Sequence, residues 1–311
     1  MANLNYSVVI PVYNTTSVLL DLVDKIQQAF DDLNEPAFEI IFVNDCSPNP
    51  LTRKCLTSAC QKNSHVKVIH FGRNYGQQPA TLCGIEKSVG EYIITMDDDL
   101  QHDPADIALL IAQKEHDIVI AELLEKKHGF IKRQFSKIKN HFDHVILGKP
   151  KHIKMSSFRL INRYMANNMS VVKSPNPFIP ALLFLISTDI VNVPINHYSR
   201  AEGISGYNLK KMLSLFSNLL INNSSFLLNW LGKMGVLAAL GSICYALYLV
   251  LRKIFIGVDA EGWTSLMVVV LFIGGLLLFS VGLIGEYLIR VIQSAEQKPA
   301  YIIRDIEVGN D

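Results

Sequence analysis

Two uncharged apolar runs constrain this chain more than any other feature of its 311 residues. Met234–Leu251 and Thr264–Gly285 extend for 18 and 22 residues without a single Lys, Arg, Asp or Glu. Coiled as helices they reach about 27 and about 33 Å, the thickness of a bilayer's hydrocarbon core. Backbone crossing that core must satisfy its own hydrogen bonds, which a helix does. Trp230 and Trp263, the only two tryptophans, stand just ahead of the two runs, where interfacial aromatics belong. Only the short polar stretch 252–262 separates the runs, so a membrane hairpin is expected in preference to a pair of buried core helices. Its spans are placed at about residues 232–252 and 264–288.

A hairpin returns the chain to the side it left. Lys210, Lys211, Lys233, Arg290 and Lys298 flank it there, in keeping with the basic excess of cytoplasmic faces, although Arg252 and Lys253 occupy the opposite turn. The five cysteines (Cys46, Cys55, Cys60, Cys83 and Cys244) show neither metal-type CxxC spacing nor an even framework, so they read as free thiols in a reducing compartment. The first residues pass straight into a strand pattern, and no cleavable leader is expected. These features put the soluble part and both termini in the cytosol, at the inner face of the plasma membrane. Residues 207–228 carry Leu209, Met212, Leu213, Phe216, Leu219 and Leu220 at helical spacing. That segment reads either as an amphipathic helix on the membrane surface or as an ordinary core-facing helix. The expected organisation is a soluble domain over 1–206, a juxtamembrane helix over 207–228, two spans within 229–290, and a cytosolic tail over 291–311.

Ahead of the runs, charged and apolar residues mix as they do in a folded domain. With half of the chain hydrophobic, disorder, a collagen-like rod and a disulfide-stapled mini-protein are excluded. Twenty-nine basic residues against 28 acidic ones leave a net charge of +1, which offers no electrostatic case for a nucleic-acid partner. Strand-like runs at Tyr6–Val12, Phe38–Val43, Val66–Phe71, Tyr92–Met96 and Asp117–Ala121 alternate with helical patterns over 16–32, 51–63, 79–89 and 104–113. This alternation predicts βαβ units and a doubly wound, mostly parallel sheet.

Polar residues gather after each of the first four strands: Pro11-Val12-Tyr13-Asn14, Asn44-Asp45-Cys46-Ser47, Arg73-Asn74-Tyr75-Gly76-Gln77 and Asp97-Asp98-Asp99-Leu100-Gln101. The carboxyl ends of parallel strands share one edge, where open α/β folds bind ligands. Neither G-x-G-x-x-G after the first strand nor a P-loop motif is present, which disfavours dinucleotide oxidoreductases and P-loop NTPases. Strand alternation lets Asp97 and Asp99 face one partner. Carboxylates that close need a cation, and oxygen ligands suit Mg²⁺ or Mn²⁺. The competing reading is an Asp-rich turn capping the next helix.

These four strings resemble the family 2 glycosyltransferases of GT-A fold, and within them the branch that glycosylates polyprenyl phosphates. Ser156-Ser157-Phe158-Arg159, the segment 197–207 with Arg200, Gly203, Ser205 and Tyr207, and Tyr301-Ile302-Ile303-Arg304 extend the resemblance over nearly the whole chain. The resemblance implies a GT-A, Rossmann-like domain followed by a surface helix and the hairpin. It implies sugar transfer, with inversion, from a nucleotide diphosphate sugar to a polyprenyl phosphate, and homo-oligomers, since relatives form tetramers. Two C-terminal spans resemble the bacterial members, hence undecaprenyl phosphate. Carried over residue by residue, Asp97, Asp99 and Gln101 bind the metal. Pro11, Tyr13, Asn14, Asn44, Asp45, Asn74, Gln77 and Asp98 meet the nucleotide sugar. Lys132, Arg133 and Ser136 match a basic-plus-serine motif that, with Arg200 and Ser205, collects the acceptor phosphate, and Arg200 joins Asp97 and Asp99 as catalytic.

The chain departs from the family pattern at Thr15 (usually Glu), Asn44 (usually Asp), Cys46 (usually Gly) and Gly206 (often Lys). An acceptor phosphate monoester, with its second pKa of about 6, is mostly dianionic at neutral pH. It needs little help from a general base; the task is to gather and align two anions. Two other readings stay open: an anchored transferase with a saccharide or protein acceptor, and a catalytically inactive membrane scaffold. A processive polysaccharide synthase is disfavoured, because its Q-x-x-R-W motif has no counterpart in a chain without an Arg-Trp pair.

Overall fold

A computed structural model of the chain describes residues 4–123, 149–195 apart from 151, 173 and 175, isolated positions between 237 and 255, and residues 262–295 and 299–309. The chain divides into two compact units, 1–206 together with 297–311, and 207–296. The first is built on one eight-stranded sheet: β1 (Tyr6–Val12), β2 (Phe38–Asn44), β3 (Val66–Phe71), β4 (Tyr92–Thr95), β5 (Ile118–Leu123), β6 (Arg159–Asn162), β7 (Ile190–Ile195) and β8 (Ile303–Val308), in the spatial order β7-β5-β6-β4-β1-β2-β3-β8. β1 pairs in parallel with β2 and β4, β2 with β3, and β5 with β7. β6 runs antiparallel between β4 and β5, and β8 antiparallel along β3.

Sheet and helices meet in two layers because successive strand side chains point to opposite faces. Tyr6, Val8, Ile10 and Val12 of β1 pack with α1 (Val18–Asp32) and α2 (Pro50–Lys62). Val9 packs on the other face, with α3 (Gln77–Lys87), α5 (Arg163–Val171) and α6 (Ile179–Ile186). With both faces covered, β1 and β2 are buried at every position and read as mostly apolar runs, with Ser7 and Glu39 satisfied by bonding each other (2.7 Å). α1 buries Leu19, Leu22, Val23, Ile26 and Phe30, the stripe its spacing predicts. It ends in a left-handed Asn34 (φ 54°), whose N–H donates to Asp31 O while Glu35 N–H donates to Phe30 O, so the last carbonyls are satisfied. α2 starts at Pro50 under an Asn49 cap that accepts from Leu51 N.

The five strands expected from sequence all form. The helix expected over 104–113 is a single 3₁₀ turn (Pro104–Asp106) leading into α4 (Ile107–Ile111). β6, β7 and β8 were not anticipated, and β8 changes the reading of the C-terminal segment. Within the segment expected as a cytosolic tail, residues 303–308 form an edge strand of the main sheet. The second apolar run lies in α7 (Trp263–Ala295), a 33-residue helix. Within it Phe272–Ile289 is long and apolar enough to cross a membrane. The first run, apart from Leu237, Cys244, Tyr245, Tyr248 and Leu251, lies outside the described residues, as does the helix expected over 207–228.

Candidate active site

The carboxyl ends of β1, β2, β3 and β4 meet at one sheet edge, and their loops are tied together by side chains. After β1, Tyr13 is half exposed and Asn14 takes a left-handed backbone (φ 65°). Asn14 N–H donates to Ser47 Oγ (3.0 Å) and Asn14 Oδ1 accepts from Asn49 N (3.3 Å), joining the first loop to the second. After β2, Asn44 and Asp45 are buried. Asn44 Oδ1 accepts from the Ser47 N–H (3.0 Å) and hydroxyl (2.7 Å). Asp45 accepts from the backbone N–H groups of Tyr75 (2.7 Å) and Gly76 (2.8 Å), while Asn74 Nδ2 donates to the Asp45 carbonyl (3.3 Å). Asp45 thus pins the turn into α3, which needs a residue at φ 97° and has Gly76 there. Burial raises the Asp45 pKa, and the two N–H donors oppose that rise. Arg73 lies over the Tyr75 ring, 4.9 Å from its centroid.

The three acids follow β4. The strand ends at Thr95, and Asp97 to Asp99 lie in the bend beyond it, which turns at a left-handed Leu100 (φ 56°). Strand alternation therefore does not govern their directions, and each acid meets different partners. Asp97 Oδ1 accepts from Gln77 Nε2 (2.7 Å) and Oδ2 from Ser157 Oγ (2.5 Å). Asp98 accepts from the Thr15 hydroxyl (2.6 Å). Asp99 Oδ1 accepts from Gln101 N (3.1 Å). Burial pushes the Asp98 carboxyl up to about 6, with Asp97 and Asp99 adding to the rise and Thr15 and the Tyr13 N–H opposing it.

A crevice beside Asp97 is lined by Pro11, Gln77, Thr81, Ser157 and Arg159 among others. Arg159, on β6, is buried and donates from Nε to the Ser156 carbonyl. Burial brings its pKa down to about 10, with the Asp97 charge opposing, so it remains a cation at neutral pH. A buried guanidinium thus lies beside the first acid of the acidic string, at the rim of the mostly parallel sheet.

The sequence matches the description "Glycosyl transferase family 2" over residues 7–169, which takes in β1 to β6 and the acidic string. An uncharacterized glycosyltransferase of Synechocystis sp. is 30% identical over 306 residues, 96% of this chain and 95% of that one. The chain belongs to glycosyltransferase family 2. It is a glycosyltransferase, and its mostly parallel α/β sheet has the family's GT-A fold. Among solved structures, glucosyl-3-phosphoglycerate synthase of Mycobacterium tuberculosis, in complex with Mn²⁺, UDP and glucosyl-3-phosphoglycerate, superposes with a TM-score of 0.53 at 13% identity, covering 71% of this chain and 78% of that one. The same enzyme with Mn²⁺, UDP-glucose and phosphoglyceric acid gives the same values.

In this family 2 chain the donor set suits a loosely held divalent ion. Among the described residues no three His, Cys, Asp or Glu side chains converge into a ready-made cage. Asp97 and Asp99 are two carboxylates of one loop, the number with which Mg²⁺ and Mn²⁺ are commonly held when substrate phosphates and water complete the shell. Of the residues expected at the site, Pro11, Tyr13, Asn14, Asn44, Asp45, Asn74, Gln77 and the three acids come together at the sheet edge. Lys132, Arg133, Ser136, Arg200 and Ser205 lie outside the described residues. Sequence reasoning missed Thr15 as the partner of Asp98, and Ser157 and Arg159 as partners of Asp97. The Ser156–Arg159 string was visible, but its approach to Asp97 needs β6 to insert next to β4, which no local pattern signals.

Proposed function

We propose that this glycosyltransferase moves a sugar from a nucleotide diphosphate donor to the phosphate of a membrane polyprenol, undecaprenyl phosphate by the resemblance, with inversion at the transferred carbon. One conjunction carries the reading: an acidic sheet edge and a 33-residue apolar helix belong to the same chain. Phe272, Leu277, Phe279 and Val281 of that helix are exposed, apolar side chains that lipid would cover. A second span over 232–252 would complete the hairpin and bring the acceptor to the catalytic domain from the bilayer.

Asp97 and Asp99, with Gln101, would hold Mg²⁺ or Mn²⁺, and that ion's chemistry is to neutralise charge on the leaving diphosphate. The neighbours solved with Mn²⁺ and UDP or UDP-glucose support a nucleotide diphosphate sugar as donor. Pro11 and Tyr13 offer a surface for the nucleoside, beside loops that Asn14, Asn44, Asp45 and Asn74 hold in shape. Gln77 and Ser157 orient Asp97, with the buried Arg159 cation beside it. Asp98, bonded to Thr15, props the first loop against the acidic bend. The acceptor dianion is itself the nucleophile, so Lys132, Arg133, Ser136, Arg200 and Ser205 have only to gather it, and homo-oligomers would array several such sites at the membrane.

The test is transfer of labelled sugar from a panel of nucleotide sugars to undecaprenyl phosphate in detergent, with Mn²⁺ or EDTA. Transfer should require the ion, and Asp99→Ala should lower turnover by at least about a hundredfold. Transfer that ignores the lipid and uses a soluble saccharide or protein instead would reject the acceptor assignment.

A further inference from the structure

β8 is joined to the donor side of the site by hydrogen bonds whose direction is set at every step. Ser47 Oγ accepts from Asn14 N–H (3.0 Å), so its own proton goes to Asn44 Oδ1 (2.7 Å). Asn44 Oδ1 also takes the Ser47 N–H, which orients the amide and turns its NH₂ to His70 Nδ1 (3.0 Å). A nitrogen facing an NH₂ must accept. The His70 proton therefore sits on Nε2, which donates to Glu307 Oε1 (3.1 Å) on β8. Glu307 is held in turn by the Thr57 hydroxyl (2.8 Å), and Arg53 of α2 lies 3.5 Å from its Oε1. Asn44 and His70 are buried, so water cannot substitute for a lost partner.

What this relay ends on is strained. Asn14 (φ 65°) and Cys46 (φ 52°) are non-glycine residues in the left-handed region, one in each of the two loops that face the nucleoside in the proposed reaction. Such conformations persist only where surrounding contacts over-determine them. Here those contacts are the bonds of Asn14, Ser47 and Asn44, and the far end of the chain of bonds is anchored 237 residues from His70.

We propose that His70 and Glu307 are positioning residues for the donor, holding loops 13–15 and 44–49 in their binding shape through Asn44 and Ser47. The strand at 303–308 is thereby a working part of the site. This rests on the donor reading above. It also accounts for Asn44: an amide can accept from Ser47 and donate to His70 at once, whereas a carboxylate cannot donate.

The experiment uses the full chain in detergent and the variants His70→Phe, Glu307→Leu and Glu307→Gln. Hydrogen–deuterium exchange is followed in peptides spanning 12–16 and 44–50, with β1 as the internal control, and equilibrium binding of UDP with Mn²⁺ is measured alongside. His70→Phe and Glu307→Leu should speed exchange in both loops by about tenfold or more and weaken UDP–Mn²⁺ binding by about tenfold, the cost of one unmatched buried bond. Glu307→Gln, whose amide oxygen can still accept from Nε2–H, should stay within about twofold on both. Loops that exchange at the wild-type rate in both disruptive variants overturn the inference, and so do loosened loops that bind UDP–Mn²⁺ with wild-type affinity. If His70→Phe also loses protection in β1, Glu307→Leu, at the half-exposed end of the relay, decides. A wild-type chain that ignores UDP–Mn²⁺, and GDP, CDP and dTDP with Mn²⁺ as well, while its loops respond to the variants supports the relay and overturns the donor reading instead.

Discussion

Among the three acids, neighbours in sequence have been given different tasks by their surroundings. Asp97 is ringed by donors and lies beside the buried Arg159, so its charge is compensated. Asp98 is desolvated by burial and sits between like charges, so its carboxyl is held up at about 6, above the 3.8 of an unfolded chain. Folding therefore favours protonated Asp98. That stabilising contribution is complete below about pH 4 and is lost as pH rises through about 6. Asp98→Asn keeps an acceptor for Thr15 and removes the charge, so in EDTA it should be more stable than the parent at pH 8, by about 1–2 kcal/mol after allowance for solvent screening. The difference should close by pH 4, as read from urea midpoints along a pH series. Arg159 behaves in the opposite way, because removing it leaves Asp97 without its compensating cation, held only by the Gln77 and Ser157 donors. Arg159→Met should cost about 3 kcal/mol in unfolding free energy, and more than any exposed Arg→Met change made as a control.

Between elements, a glycine lets helix and sheet approach closely. α3 lies on β1 at Gly84, where an added Cβ would stand 2.2 Å from Val9 Cγ1. Val9 is fully buried and has no free direction in which to yield. Gly84→Ala should therefore destabilise the chain by about 1–3 kcal/mol and lower its melting temperature. Gly72→Ala, where nothing lies within 4 Å, should leave it nearly unchanged. Gly84 is about two turns from Gln77, so tilting α3 outward would also move the Gln77 amide away from Asp97, and the damaged protein should lose donor affinity together with stability. β8 works at the same scale. Its alternating half-buried and exposed residues cover the β3 edge, and nearby Tyr301 stacks on Phe71 (5.2 Å between centroids) and donates to Glu86 of α3. β8 is itself the outer edge of the sheet, and its charged residues Arg304, Asp305 and Glu307 discourage pairing with other chains.

For the whole molecule, an acidic sheet edge and an apolar helix too long for a domain of this size are combined in one chain. If α7 lies in lipid, replacing Phe272 and Leu277, both well exposed, by Arg should raise the cost of insertion by about 2–3 kcal/mol for each charge near mid-bilayer. The variant should then float with liposomes far less than the parent. The α/β class was legible without any structure, because β1 and β2 are short, mostly apolar runs and α1 repeats its apolar residues at helical spacing. So was the meeting of four polar clusters at one sheet edge, because they follow four successive strands and parallel topology gathers their ends. What stayed hidden depends on pairings across the chain. β6 is four residues long, and its antiparallel insertion beside β4, which takes Arg159 to Asp97, leaves no periodic trace. β8 joins residue 307 to residue 70 through a register that no local propensity encodes. The sequence by itself determined which segments are strands, helices and apolar runs, since burial on a sheet face or a helix face imposes a local period. Which acid is neutralised, which is raised, and which distant strand braces the loops were decided only by tertiary structure, because charge compensation and hydrogen-bond direction belong to pairs of residues brought within 3 Å by the fold.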